Sequence, residues 1–158
     1  MATLRLQRDL PFPRPAVYDV IADVARYPDF MPGFKAVRTE GWDDDRLLVR
    51  QTVGAGGLTT TFLSRARFTP PQGIDIVSHE RPFEVLHQTW GFAEAAHGRT
   101  RVTLEAEYAM ADRVAGAVFN RVFPALLRSG LNAVGRRVAT LHGRPGRRGG
   151  GRGTGRAP

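Results

Sequence analysis

The chain has 158 residues, 42% of them hydrophobic, which is enough apolar material for the core of one domain. It contains no cysteine, so disulfides and thiolate chemistry are excluded. No apolar run approaches the roughly 20 residues of a membrane-spanning helix, and the first residues lack the apolar segment of a signal peptide. We therefore expect a soluble, cytoplasmic protein, and peripheral contact with the inner membrane stays open.

The net charge of +8 is concentrated at the C-terminus. Residues 144–158 carry five arginines and no acidic residue, and they offer no apolar side chain worth burying. A Gly/Arg-rich segment of this kind cannot offset the entropy of ordering itself. We expect a folded domain over residues 1–143 and a disordered tail over 144–158. The tail could serve solubility alone, or contact ribosomal RNA or anionic lipid.

The N-terminal part predicts a strand and then a helix. Leu4 and Leu6 alternate with polar residues, which is typical of a half-buried strand over residues 3–10. Pro15 suits the first turn of a helix, where its missing N–H is not needed. The apolar residues that follow form one helical stripe: Val17, Val20, Ile21 and Val24.

From residue 34 to residue 110 the sequence predicts strands separated by short turns. The predicted strands cover residues 35–41, 46–53, 58–69, 74–79, 83–93 and 101–110. Hairpin spacing without intervening helices excludes a doubly wound parallel sheet. In the last strand one face is apolar, formed by Val102, Leu104, Ala106, Tyr108 and Met110. The other face is polar, so we expect an antiparallel sheet with one buried face.

A long helix is predicted to cover that face, from Asp112 as N-cap to His142, with Gly143 as C-cap. Its first apolar stripe consists of Val114, Val118, Val122 and Leu126, and its second of Phe123, Leu127, Leu131, Val134, Val138 and Leu141. The two stripes differ in direction by about a third of a turn and change over at Pro124, where we expect a bend. One half would cover the core, and the other would line a cavity or its mouth.

The order of one strand, two short helices, six strands and a long helix resembles the START-like (SRPBCC) superfamily. Four segments resemble its ubiquinone-binding, polyketide cyclase/dehydrase family: VIADVARYPDFMP at 20–32, FLSR at 62–65, RPF and WGF within 81–92, and VFNRVF at 118–123. This family includes coenzyme Q-binding proteins and the ribosome-association toxin RatA. The similarity spans residues 3–142. It implies an α+β helix-grip fold, in which a curved antiparallel sheet wraps around a long C-terminal helix.

Such a fold leaves space between sheet and helix, and apolar walls favour an apolar guest. We predict that the binding site consists of Phe30, Phe62, Arg65, Phe83, Leu86, Trp90, Phe92, Tyr108, Val118, Val122 and Leu126. Some of these side chains could instead only fill the core. Of the neighbours Ser64 and Arg65, one must face inward. An inward Arg65 would anchor a quinone carbonyl or a carboxylate, and an outward, solvated Arg65 is the alternative.

Signals of catalysis are weak. The four histidines lack the spacing of a metal site, and no Gly-rich phosphate loop occurs. His87 has the opposite strand parity to Leu86 and Trp90, which predicts a position on the outer surface. We expect no metal, no cofactor and no catalytic residues, and we favour binding over catalysis. If the chain is an enzyme, it would be a polyketide cyclase/dehydrase.

The resemblance implies a carrier or chaperone that binds a hydrophobic small molecule such as ubiquinone or another polyprenyl quinone. Two alternatives stay open. One is a RatA-like factor that contacts the ribosome, which the basic tail would suit. The other is a polyketide cyclase/aromatase. The oligomeric state is left open.

Overall fold

The structure is a computed structural model that describes residues 1–55 and 57–143. The tail predicted for residues 144–158 lies outside the described residues. Within the described part, seven strands form one sheet: β1 (Ala2–Leu10), β2 (Phe34–Asp43), β3 (Arg46–Ala55), β4 (Leu58–Thr69), β5 (Gly73–Ser78), β6 (Phe83–Ala95) and β7 (Arg99–Met110). Every neighbouring pair is antiparallel, in the order β1-β7-β6-β5-β4-β3-β2.

The predicted alternation along the last strand is confirmed. In β7 the side chains of Val102, Leu104 and Ala106 are fully buried, whereas Arg101 and Glu107 on the other face are exposed. The buried face of the curved sheet packs against the C-terminal helix. The α+β helix-grip fold predicted from the sequence is therefore confirmed.

Two short helices close one end of the sheet: α1 (Arg14–Ala22) and α2 (Tyr27–Phe30). The apolar stripe predicted for α1 is buried, as Val17 and Ile21 are at most 1% exposed. A short 3-10 turn, Val24–Arg26, leads from α1 into α2. The Tyr27 hydroxyl then donates a hydrogen bond to the Ile21 carbonyl, which ties the start of α2 to the end of α1.

The long helix α3 (Arg113–His142) has both predicted caps. The Asp112 carboxylate accepts a hydrogen bond from the backbone N–H of Val114 at 2.7 Å. At the other end, Gly143 has a φ of +81°, the left-handed conformation that ends many helices and that glycine adopts without strain. The helix continues through Pro124.

The core consists of two clusters. The larger one packs α1 and the C-terminal half of α3, including Leu131, Val134 and Val138, against the sheet. The smaller one is largely aromatic and consists of Phe62, Phe83, Leu86, Ala106, Tyr108 and Phe123. No helix in the described part of the chain combines the length and the hydropathy that crossing a bilayer requires.

Candidate ligand-binding cavity

A cavity of about 100 Å³, here called the inner chamber, lies between α3 and the sheet where the two core clusters meet. Strands β3 to β6 supply one wall, which includes Val49, Gln51, Phe62, Ser64, Phe83, Leu86, Gln88 and Trp90. The segment after α2 supplies Met31, Pro32 and Gly33, and α3 supplies Phe119, Phe123, Leu126, Leu127 and Gly130. An engineered cavity of roughly 150 Å³ holds benzene, so the inner chamber has nearly the size that a small ring needs.

A second space of about 420 Å³, here called the outer chamber, opens to solvent between α3 and the start of β4. Leu58 and Val114 line it, although they are 66% and 77% exposed, and they form its rim. Val53, Phe119 and Leu126 line both chambers and therefore form the partition between them. The volume falls within the roughly 300–1,000 Å³ that is usual for small-molecule pockets.

Gly33 packs closely against Leu126, one of the partition residues. Gly33 has a φ of +82°, and its carbonyl accepts the N–H of Gly54 at 2.9 Å. A Cβ at this position would meet the Leu126 side chain at 3.1 Å. Glycine here therefore permits both the turn and the close approach of α3.

The walls carry few ionisable groups. Among the described residues that line the two chambers, only Tyr27 and Asp112 carry ionisable side chains. Burial raises the pKa of Tyr27 far above its usual value, and its hydroxyl is bonded to the Ile21 carbonyl. Asp112 caps α3. The chambers therefore provide shape, apolar contact and neutral hydrogen-bonding groups.

Three neutral polar side chains face the inner chamber: Gln51, Ser64 and Gln88. The Ser64 hydroxyl makes one long contact of 3.5 Å to the Val49 carbonyl. Within the described part of the chain, neither glutamine side chain makes a hydrogen bond to another protein group. Two amides without protein partners thus stand in otherwise apolar walls.

The structure distributes the predicted site residues over three locations. Phe62, Phe83, Leu86 and Trp90 line the inner chamber, Val122 lines the outer chamber, and Leu126 lines both. Phe30, Phe92 and Tyr108 pack elsewhere: Phe30 against Tyr27 and under the Arg137 guanidinium, Phe92 against Tyr18, and Tyr108 against Phe119 and Phe123. Val118 lies on α3, but its side chain is outside the described set.

Arg65 lies on the outer face of the sheet, where its guanidinium pairs with the Asp43 carboxylate. Its neighbour Ser64 takes the inward position and is 2% exposed. An inward Arg65 as an anchor for a carbonyl or carboxylate was therefore wrong. The reason is the strand period of two, which sends Phe62, Ser64 and Ala66 inward together.

Phe83 and Leu86 both face inward because β6 contains an irregularity at its start. Phe83 pairs with Met110 and Val85 with Ala109, so one residue of β6 is left over between them. Such a bulge reverses the alternation. It brings Phe83 onto the face of Leu86 and into ring contact with Phe62 and Phe119 at centroid distances of 5.1 Å.

His87 lies on the outer face, as its parity predicts. Its Nε2 lies 2.6 Å from Oδ1 of Asp75. The other carboxylate oxygen of Asp75, Oδ2, accepts a hydrogen bond from Nη2 of Arg46 at 3.2 Å. Burial alone would raise the pKa of Asp75, but the hydrogen bonds from His87 and Arg46 outweigh burial and lower it. This polar cluster stands on the opposite side of the sheet from the two chambers.

Gln51, Gln88 and Phe119 were missed as site residues. Strand parity could have found the two glutamines, since Gln51 alternates inward with Val49 and Val53, and Gln88 lies between Leu86 and Trp90. Phe119 directly follows Val118, which belongs to the first apolar stripe predicted for the long helix. No pattern in the sequence could show that Phe119 would stand between two chambers.

An antiparallel sheet that grips one long helix and encloses a largely apolar cavity defines the START-like helix-grip class. The chain belongs to the family described as polyketide cyclase/dehydrase and lipid transport, whose model matches residues 10–133. The resemblance inferred from the sequence is thereby confirmed.

Relatives within this class carry different names. The chain is 27% identical to the ribosome association toxin RatA of Pseudomonas aeruginosa, over 85% of this chain and 93% of that one. It is 29% identical to the mitochondrial coenzyme Q-binding protein coq10 of Schizosaccharomyces pombe, over 71% of each chain. The Zhui aromatase/cyclase from a Streptomyces species superposes with a TM-score of 0.74 at 21% identity, over 90% of this chain and 99% of the other.

Proposed function

We propose that the protein binds a hydrophobic small molecule of the polyprenyl-quinone type in the two chambers and acts as its carrier or chaperone. The observation that carries this proposal is the adjoining pair of spaces, one of about 100 Å³ between sheet and helix, the other larger and open to solvent. Burial of apolar ligand surface contributes roughly 25 cal/mol per Å². The similarity to a coenzyme Q-binding protein supports the quinone as the ligand.

The mouth of the outer chamber suits contact with a membrane surface. Its rim carries two exposed apolar side chains, Leu58 and Val114. A quinone with a long chain is stored in lipid, so a carrier must take it up there. We place the protein in the cytoplasm, in transient contact with a bilayer through this rim.

Mass spectrometry of the intact protein under native conditions, followed by organic extraction, tests the proposal. We expect bound lipid whose mass corresponds to a quinone. Val53→Phe would fill the partition between the chambers and should abolish this binding. The matched control is Val77→Phe, the same change on the outer face of β5, which should retain the lipid.

The proposal fails if the purified protein carries no lipid and takes up no quinone from vesicles. It also fails if Val53→Phe binds as much as the unchanged protein while its unfolding transition shows that it is folded. In that case the ligand would not occupy the chambers.

A second candidate function is a ribosome-associated factor, favoured by the match over 93% of the RatA chain. Co-sedimentation with ribosomes at low salt tests it, using the full chain and a chain that ends at Gly143. Binding that survives loss of residues 144–158 would assign the contact to the folded part. Salt-sensitive binding that depends on the tail would indicate electrostatic attachment only.

Cyclase or aromatase activity is supported by the description of the family and by likeness of fold to the Streptomyces aromatase/cyclase. The chambers lack a paired acid and base among the described residues. The folded cavity could still shape a reactive chain. Incubation with a polyketide chain, in parallel with quinone binding, would separate the two roles.

A further inference from the structure

From the walls of the inner chamber we infer that Gln51 and Gln88 recognise neutral oxygen atoms on the ligand, which enters with its oxygenated end first and leaves its apolar chain in the outer chamber. This inference rests on the proposed function and deepens it. It assigns the polarity, the charge and the direction of the ligand, none of which follows from an apolar cavity alone.

The first argument is the hydrogen-bonding capacity of the two amides. Gln51 and Gln88 are half-buried and line the inner chamber without a protein partner among the described residues. A polar group that loses water without gaining another hydrogen bond costs about 1–3 kcal/mol. A ligand that displaces water from the inner chamber therefore binds better if it offers these amides an oxygen atom than if it is purely apolar.

The second argument is the chemistry of the walls. A glutamine amide can both donate and accept, so it pairs with a carbonyl or a hydroxyl. Nothing cationic lines either chamber in the described part of the chain, because Arg65 and the other arginines of β3 and β4 point outward. An ionised carboxylate would therefore be desolvated without a counter-charge. The walls favour a neutral oxygenated group over a fatty acid.

The third argument is direction. The glutamines lie only on the inner chamber, whereas the outer chamber opens to solvent past Leu58 and Val114. The inner chamber has nearly the volume that holds one ring, and the outer chamber is about four times larger. We therefore assign the oxygenated end to the inner chamber, where a ring requires the partition side chains to shift, and the apolar chain to the outer chamber.

Three probes with the same chain test this: decyl-benzoquinone, decylbenzene and decanoate. Trp90 lines the inner chamber, and in a Trp42→Phe background it is the only tryptophan, so its fluorescence reports binding of the quinone. The other two probes are measured by displacement. We expect the quinone to bind more tightly than decylbenzene, and decanoate to bind most weakly.

Gln51→Leu and Gln88→Leu should each weaken quinone binding about 2- to 10-fold, the usual worth of a neutral hydrogen bond. Binding of decylbenzene should stay unchanged or become tighter. Gln7→Leu makes the same change on the exposed face of β1 and should leave all three affinities unchanged. Gln51→Met and Gln88→Met replace the leucine variants if either of these fails to fold.

Equal quinone affinity in the variants and the unchanged protein would overturn the inference, because water would then be the partner of the amides. An equal loss for quinone and decylbenzene would also overturn it, since that result indicates general damage to the cavity. If the unchanged protein binds none of the probes, the proposed function itself is wrong. These outcomes are distinguishable.

Discussion

Two buried tyrosines, Tyr18 and Tyr27, differ in whether the hydroxyl has a partner. Tyr27 donates to the Ile21 carbonyl. The hydroxyl oxygen of Tyr18 is buried and has no hydrogen-bond partner among the described residues, while its ring packs edge-to-face on Phe92. Desolvation by burial raises the pKa of both phenols. A tyrosine hydroxyl therefore stabilises the fold at Tyr27 and destabilises it at Tyr18.

Tyr18→Phe should raise the free energy of unfolding by about 1 kcal/mol, because it removes an unpartnered hydroxyl and keeps the ring contact. Tyr27→Phe should lower it by about 1 kcal/mol, because it leaves the Ile21 carbonyl without its donor. Urea denaturation of both variants measures the two changes. Destabilisation by Tyr18→Phe would show that its hydroxyl has a partner, such as an ordered water.

Ion pairs connect the outer face of β2 to that of β3. Glu40 accepts hydrogen bonds from Nε of Arg50 at 2.6 Å and from Nη2 of Arg38 at 2.8 Å. These hydrogen bonds lower the pKa of Glu40 from its usual 4.5 to about 2. Because β2 is an edge strand of the sheet, this cluster supports a strand that has a neighbour on one side only.

Glu40→Gln tests the contribution of this pairing to stability. A carboxylate whose pKa is lower in the folded state stabilises the fold above its unfolded pKa, and this effect is lost as the pH falls through the folded value. The unchanged protein should therefore be more stable than the variant at pH 7, and the difference should shrink between pH 4.5 and pH 2. Denaturant titrations at several pH values measure it.

The control for this experiment is Glu84→Gln, which removes an exposed carboxylate that forms no ion pair within the described part of the chain. Its effect on stability should be small at every pH. A Glu40→Gln difference that stays constant from pH 7 to pH 2 would contradict the assignment, because the stability would then not depend on the charge of Glu40.

At the scale of the whole molecule, the outer chamber opens at the protein surface. Leu58 at the start of β4 and Val114 in the first turn of α3 come from distant parts of the chain, yet both border the outer chamber. Exposed apolar side chains at the rim of an apolar cavity are typical of a surface that meets a partner or a membrane. This geometry motivates the proposed contact with lipid.

Replacing both Leu58 and Val114 by Ser should weaken binding to neutral vesicles at least about 10-fold, since each apolar side chain transferred from water contributes on the order of 1.5–3 kcal/mol. Vesicle flotation measures this change. Quinone affinity in detergent should fall less than vesicle binding, because the two side chains form only the rim of the outer chamber. Leu141→Ser is the control, because Leu141 is also exposed but lies at the far end of α3. If Leu141→Ser lost as much vesicle binding as the double variant, the rim would not be the site of membrane contact.

Individual residues show how much of the cavity lining could be predicted from the sequence. Leu86 and Trp90 were predicted to line the cavity, and they line the inner chamber. Arg65 was considered an anchor, but the strand period sends it outward. Phe83 reaches the chamber only through the bulge that follows it, and a bulge depends on the pairing of β6 with β7.

Alternation along the strands and the helical period of the C-terminal segment were sufficient, by themselves, to determine the antiparallel sheet, its covering helix and most of the buried faces, because these patterns are local. Only the tertiary structure decided that the interior holds two adjoining chambers, that Phe119 and Leu126 divide them, and that Gln51 and Gln88 share one. A cavity is the space that packed elements leave unfilled, and it depends on distances between residues far apart in the chain.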